Sequence, residues 1–129
     1  MTAAAGLPLA GWKVLIVEDQ FLIATDMRRV VTALGGEPVG PCRSVEQARE
    51  LMASRTPDFA LLDINLDGRP VFELAEELTR KGVPFAFASG YDDFAIPEAH
   101  RGAPRLDKPL SRIDLEQAVL RVRAGASPR

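Results

Sequence analysis

The stretch FALLDINLDG, residues 59–68, frames the reading of the whole chain. Phe59 to Leu62 form an apolar run with no polar face, and the run stops abruptly at Asp63, with Asn65, Asp67 and Gly68 close behind. A short apolar run bounded by turn formers is the pattern of a strand buried on both faces of a parallel sheet. Asp63 stands where that strand ends. Taken alone it could be a residue that merely ends a strand, a metal ligand or a nucleophile, while Asp67-Gly68 reads as a turn.

The same kind of run recurs on either side. KVLIV (13–17) is β-branched and apolar throughout, and it ends in Glu18-Asp19. Ile23, Met27, Val30, Val31 and Leu34 then recur at helical spacing and are closed by Gly35-Gly36. PVGPC (38–42) carries two prolines, which places it at a sheet edge. Ser44 and Gln47 form a capping-box pattern ahead of Val45, Ala48, Leu51 and Met52. After the central run, VFELAEEL (71–78) puts Phe72, Ala75 and Leu78 on one helical face. PFAFA (84–88) is a strand ending at Ser89, and residues 105–107 are a short strand before Lys108-Pro109. Ser111 caps a last helix that turns Leu115, Ala118, Val119 and Val122 inward. Strand and helix alternate about five times, so the expected fold class is α/β, a (βα)5 doubly wound parallel five-stranded sheet. Pro97, Gly102 and Pro104 interrupt the fourth helix, which is expected to be short or disordered.

With 129 residues the chain fits one domain. Residues 1–11 are Ala-rich and broken by Gly6 and Pro8, and they read as a flexible arm; residues 12–124 form the domain and 125–129 a tail. A net charge of -2 with interleaved signs argues against a nucleic-acid surface. Cys42 is the single cysteine, so no internal disulfide or cysteine-based zinc site can form. No apolar run approaches the ~20 residues that span a bilayer, and the opening lacks a basic n-region. A cytoplasmic protein without membrane partners is expected. Trp12 is expected to pack over the sheet edge, Tyr91 and Phe94 to fill core or face a partner, and His100 to be an exposed loop residue.

In a parallel sheet, functional groups gather beyond the carboxyl ends of the strands. Here those ends carry Glu18 and Asp19, then Asp63, then Ser89, then Lys108. Three crowded carboxylates repel one another, and a divalent cation with oxygen ligands, together with a lysine, relieves the repulsion. A carboxylate can act as the nucleophile that accepts a phosphoryl group. A cation, a lysine and a hydroxyl can steady its oxygens.

As a set, VLIVED after the first strand, LLDIN after the third, ASG after the fourth and DKP after the fifth make residues 13 to about 123 resemble the receiver domain of bacterial two-component response regulators. The resemblance implies a flavodoxin-like fold, whose strand order is 2-1-3-4-5. It implies that Asp63 is the phosphoacceptor. Glu18 and Asp19 become the acidic pair, with the metal contact mainly through Asp19, and the backbone carbonyl of Asn65 becomes a third protein ligand for Mg²⁺ or Mn²⁺. Ser89 becomes the switch hydroxyl, Lys108 the phosphoryl-binding lysine and Pro109 a cis-proline. Asn65 and Tyr91 take the positions that tune phosphoryl lifetime. The implied function is a stand-alone response regulator, phosphorylated by a histidine kinase, that signals through a downstream protein or a phosphotransfer protein, or drains phosphoryl groups as a sink. It would not be an enzyme beyond self-phosphorylation and self-dephosphorylation.

PFAFASGYDD is similar to the PFxFATGY signature of a variant receiver group, often single-domain and paired with histidine kinases of the HWE type. Three departures from ordinary receivers accompany it. The loop after Asp63 is short, the fourth helix is broken, and Leu106, two residues before Lys108, stands where many receivers carry the Tyr or Phe that rotates on activation. These departures leave a second reading, a receiver-fold interaction module that signals without phosphorylation. A Mg²⁺-dependent phosphatase using DIN is disfavoured, because such enzymes usually place their motif after the first strand.

Overall fold

Apolar runs too short for helices pair side by side, and the segments between them cross over as helices. The computed structural model describes residues 6–66, 68–90 and 95–123. Strands β1 (Lys13–Val17), β2 (Glu37–Cys42) and β3 (Phe59–Asp63) alternate with helices α1 (Phe21–Ala33) and α2 (Val45–Ser54). A two-residue ribbon follows, β4 (Asn65–Leu66) against β5 (Arg69–Pro70), and then α3 (Phe72–Arg80), β6 (Phe85–Ser89), β7 (Arg105–Asp107) and α4 (Arg112–Arg123). The main sheet has the order β2-β1-β3-β6-β7 with every pairing parallel. This is the flavodoxin-like order once the small ribbon is set aside. The prolines of β2 sit on an outer strand, where a missing N–H costs no ladder bond.

Side chains alternate across the strands, so each face has its own core. Leu15, Val17, Ala60, Leu62 and Phe87 pack beneath Val45, Ala48 and Met52 of α2 and Leu74, Ala75 and Leu78 of α3. Val14, Ile16, Leu61, Ala86 and Ala88 pack against Met27, Val30 and Val31 of α1 and Leu115, Ala118 and Val119 of α4. Ser44 Oγ accepts the Gln47 N–H at 3.1 Å, and the Gln47 side chain accepts the Arg43 N–H at 2.7 Å, so the box closes one residue further out than its usual form. Gly35, at φ 95°, makes the left-handed turn that ends α1. Ser111 Oγ accepts the Asp114 N–H at 3.3 Å at the start of α4.

Three regions sharpen or correct the expectations. The arm expected over residues 1–11 is tied down within its described part. Leu9 is fully buried in the α1–α4 core, and its N–H donates to the Leu34 carbonyl at 2.9 Å. The fourth crossover is short, as expected: among its described residues the helical part is one 3-10 turn, Glu98–His100. His100 is not an exposed loop residue. It is buried, stacked on Phe72 at 6.1 Å and edge-on to Phe85 and Phe87 at 6.2 and 6.3 Å, so the broken segment is pinned to the sheet by an aromatic cluster. Trp12 meets Phe59 at 6.2 Å, and the Arg123 guanidinium lies 4.6 Å from its ring centre. Tyr91, Phe94, Asp67 and the tail 125–129 lie outside the described residues.

Candidate functional site

Parallel pairing brings the acidic residues together. Val17 of β1 is in register with Leu62 of β3, so the residues that follow them meet at one sheet edge. Glu18, Asp19 and Asp63 offer carboxylate oxygens that all lie within 4.8 Å of one another. Glu18 and Asp63 are each 1% exposed, whereas Asp19 is half-buried. Glu18 Oε2 also accepts the N–H of Gln20, the residue just before α1, at 3.1 Å.

Lys108 reaches the cluster from the end of β7. Its own N–H is anchored to the Ser89 carbonyl at 2.9 Å, and the Lys108–Pro109 bond is cis, as the sequence implied. Its Nζ lies 2.7 Å from Asp63 Oδ1 and 3.2 Å from Glu18 Oε1. Asp63 Oδ1 accepts a second bond, from the Asn65 N–H at 3.2 Å. Among the described residues no donor reaches Asp63 Oδ2.

Three carboxylates face one ammonium. Burial pushes the Asp63 carboxyl up to about 7; the Glu18 charge adds to the rise, while the Lys108 hydrogen bond and charge and the Asn65 N–H oppose it. Burial alone would lower the Lys108 ammonium, but its hydrogen bond to Asp63 and its charge pairing with Asp63 and Glu18 win, and it is raised. Glu18 Oε1 is buried and, although 3.2 Å from the Lys108 ammonium, makes no properly directed hydrogen bond. An orphaned buried oxygen, hard carboxylate donors and excess negative charge are what a divalent cation such as Mg²⁺ fits. Glu18, Asp19 and Asp63 are the side chains that would hold it.

Ser89 completes the edge, one residue beyond Ala88, the β6 partner of Asp63. It is buried, and its Oγ accepts a hydrogen bond from Arg105 Nε at 3.0 Å. Arg105 was not among the residues singled out in the sequence. Its place two residues before the end of β7 signals only a side chain on the same sheet face as Ser89. Also unforeseen is the pair Phe21 and Leu22, each 79% exposed at the first turn of α1, separated from Asp19 by Gln20. That exposure was readable, since both lie off the Ile23–Met27–Val30 stripe. Gly68 donates to Asn65 Oδ1 at 2.7 Å, which folds the short loop after the acid onto the β4–β5 ribbon. Of the residues singled out, Glu18, Asp19, Asp63, Asn65, Ser89, Lys108 and Pro109 stand at this edge, and Tyr91 is outside the described residues.

A family model described as response regulator receiver domain matches residues 14–120. Sensory transduction protein LytT of Bacillus anthracis is 33% identical over 110 residues, which cover 83% of this chain and 44% of LytT. Transcriptional regulatory protein PdtaR of Mycobacterium tuberculosis is 30% identical over 111 residues, 83% of this chain and 54% of PdtaR. The chain spans about half the length of the curated relatives it matches. Among solved structures, SdrG from Sphingomonas melonis Fr1 is similar with a TM-score of 0.77 and 32% identity, covering 88% of this chain and 95% of that one. The response regulator PhyR from Brucella abortus is similar with a TM-score of 0.74 and 27% identity, covering 92% of this chain and 51% of that one. No described helix is long and apolar enough to cross a membrane.

Proposed function

This chain belongs to the response regulator receiver domain family, and we propose that it accepts a phosphoryl group on Asp63 from a phosphohistidine of a histidine kinase. The observation that carries this reading is the state of the Asp63 carboxylate. Lys108 and the Asn65 N–H hold Oδ1, while among the described residues no donor occupies Oδ2. One oxygen is thus fixed and the other is free to attack.

Attack by an Asp63 oxygen on phosphorus forms the acyl phosphate P–O bond. The P–N bond to the kinase histidine breaks, and the ring nitrogen leaves with the electron pair. Lys108 moves from neutralising a carboxylate to neutralising a phosphoryl oxygen, and the Ser89 hydroxyl donates to another. Mg²⁺, when bound by Glu18, Asp19, Asp63 and the backbone carbonyl of Asn65, would keep Asp63 ionised and offset phosphoryl charge. Hydrolysis of the acyl phosphate by water returns the carboxylate, and Asn65 and Tyr91 take the positions that set its lifetime.

Phe21 and Leu22 give a kinase an apolar footing next to the acids. The PFAFASGY stretch favours an HWE-type kinase. The likeness to SdrG favours a regulator that acts by phosphorylation-dependent partner binding or as a phosphate sink. Incubation with acetyl phosphate and Mg²⁺, followed by intact mass, tests the reading. Wild type should gain one phosphoryl group and Asp63→Asn none. An unmodified wild type would overturn it and leave the contact-only interaction module.

A further inference from the structure

We propose that Arg105 is a positioning residue for this phosphoryl transfer: it fixes the Ser89 hydroxyl so that the hydroxyl proton is presented to the phosphoryl group arriving on Asp63. The inference rests on the reading of Asp63 as acceptor and adds a residue to that site. In the β6–β7 register Arg105 is opposite Phe87 and Asp107 is opposite Ser89. Arg105 and Ser89 therefore share a face, and the long arginine side chain climbs two residues toward the edge to place Nε 3.0 Å from Ser89 Oγ.

The chemistry of the pair sets the direction of the bond. A guanidinium has only donors, so Arg105 donates and Ser89 accepts. A hydroxyl has a single proton, and with a lone pair held by Arg105 that proton remains for another acceptor. Among the described residues Ser89 Oγ donates to none. Ala88 is opposite Asp63, so the anion created next to this hydroxyl is the phosphoryl group itself. The resulting chain, Arg105 Nε–H to Ser89 Oγ–H to phosphoryl oxygen, is charge-assisted at its head, and each bond polarises the next. Arg105 is exposed at its own position while Ser89 is buried, so the cation needs no buried counter-charge to do this. An aromatic or aliphatic side chain at residue 105 could fill the space but could not set the direction of that proton.

The test uses the full chain with acetyl phosphate and Mg²⁺, following aspartyl phosphate by intact mass. There an Asp63 oxygen bonds to phosphorus and acetate leaves. Arg105→Leu should slow formation about tenfold, the size of one charged hydrogen bond. Ser89→Ala should slow it comparably, and the double variant should be no slower than Ser89→Ala alone, because the arginine acts only through the hydroxyl. Arg105→Lys should recover most of the rate, and Arg80→Gln, at the far end of the fold, should match wild type. Thermal melts establish that each variant is folded, and Arg105→Gln replaces the leucine variant if that one is not. A wild-type rate in Arg105→Leu, or a loss that adds in full to that of Ser89→Ala, overturns the proposal and leaves Asp63 standing. A wild type that takes no phosphoryl group overturns both.

Discussion

Asp63→Asn should make the metal-free protein more stable at pH 8 and leave it nearly unchanged at pH 3. Burial first, and the Glu18 charge second, raise the Asp63 carboxyl from 3.8 to about 7 in the folded chain. Between those values the folded state holds a proton that the unfolded state has released. Wild-type stability therefore falls as pH rises through this window. A rise of about 3 pH units corresponds to a ceiling of about 4 kcal/mol at about 1.4 kcal/mol per unit. Asp63 titrates in tight contact with the Lys108 ammonium at 2.7 Å, so about 2 kcal/mol of this ceiling is expected. Lys108 does not confuse the window: its folded value is raised from 10.5, so its contribution is lost only at higher pH. Asn has nearly the shape of the protonated acid, still offers an oxygen to Lys108, and does not titrate. Urea unfolding in EDTA should give equal stabilities within about 1 kcal/mol at pH 3, below the unfolded value, and the roughly 2 kcal/mol advantage for the variant at pH 8. Saturating Mg²⁺ at pH 8 should close the gap by stabilising wild type more than the variant. Equal differences at both pH values, or a variant less stable at pH 8, would refute the burial-driven rise.

Three further outcomes probe the surroundings. Lys108→Met leaves the carboxylates unpaired, so in EDTA at pH 8 it should lose about 3 kcal/mol; Mg²⁺ should restore most of that in the same urea titration. Leu9→Ala should cost about 2–4 kcal/mol by chemical denaturation, since a fully buried leucine is removed from the α1–α4 core; a cost under about 0.5 kcal/mol would mean that the stretch is detached in solution. His100→Phe should keep stability within about 1 kcal/mol and His100→Ala should lose about 2 kcal/mol, because the ring contributes by stacking on Phe72, Phe85 and Phe87. Thermal melts of both variants decide this.

What was legible in the sequence had local causes. Five apolar runs with helical stripes between them fix a parallel sheet, and the residues that end those runs fix the edge where Glu18, Asp19, Asp63, Ser89 and Lys108 meet. The illegible parts depend on what another element supplies. Leu9, alone between Pro8 and Ala10, has no periodicity of its own; it is buried because the Leu34 carbonyl at the end of α1 offers its N–H a partner. His100 lies in a Pro- and Gly-broken stretch that reads as loop, yet rings from α3 and β6 close over it. The β4–β5 ribbon is two residues long on each side, below the length at which alternation can register.

Arg105 shows the same division within the site. A charged residue in a three-residue strand reads as a solvated edge, and its own exposure agrees. Its function comes from the register that sets it two residues below a buried hydroxyl on the neighbouring strand. The acids and the lysine are recognisable by type because each must carry charge to the reacting atoms. A residue that only orients one of them is recognisable by position alone, and position requires the fold. The strand around Leu106 holds no aromatic that could rotate in response to the hydroxyl. A guanidinium instead stays bonded to the hydroxyl oxygen whichever way the proton points, so the pair can follow the phosphoryl group without breaking. The conformational signal then has to leave through the backbone that β6 and β7 share, beginning at the Lys108 N–H to Ser89 carbonyl bond. On activation with beryllofluoride, amide exchange at Lys108 should slow in wild type and less so in Ser89→Ala. Equal protection in the two would place the relay elsewhere.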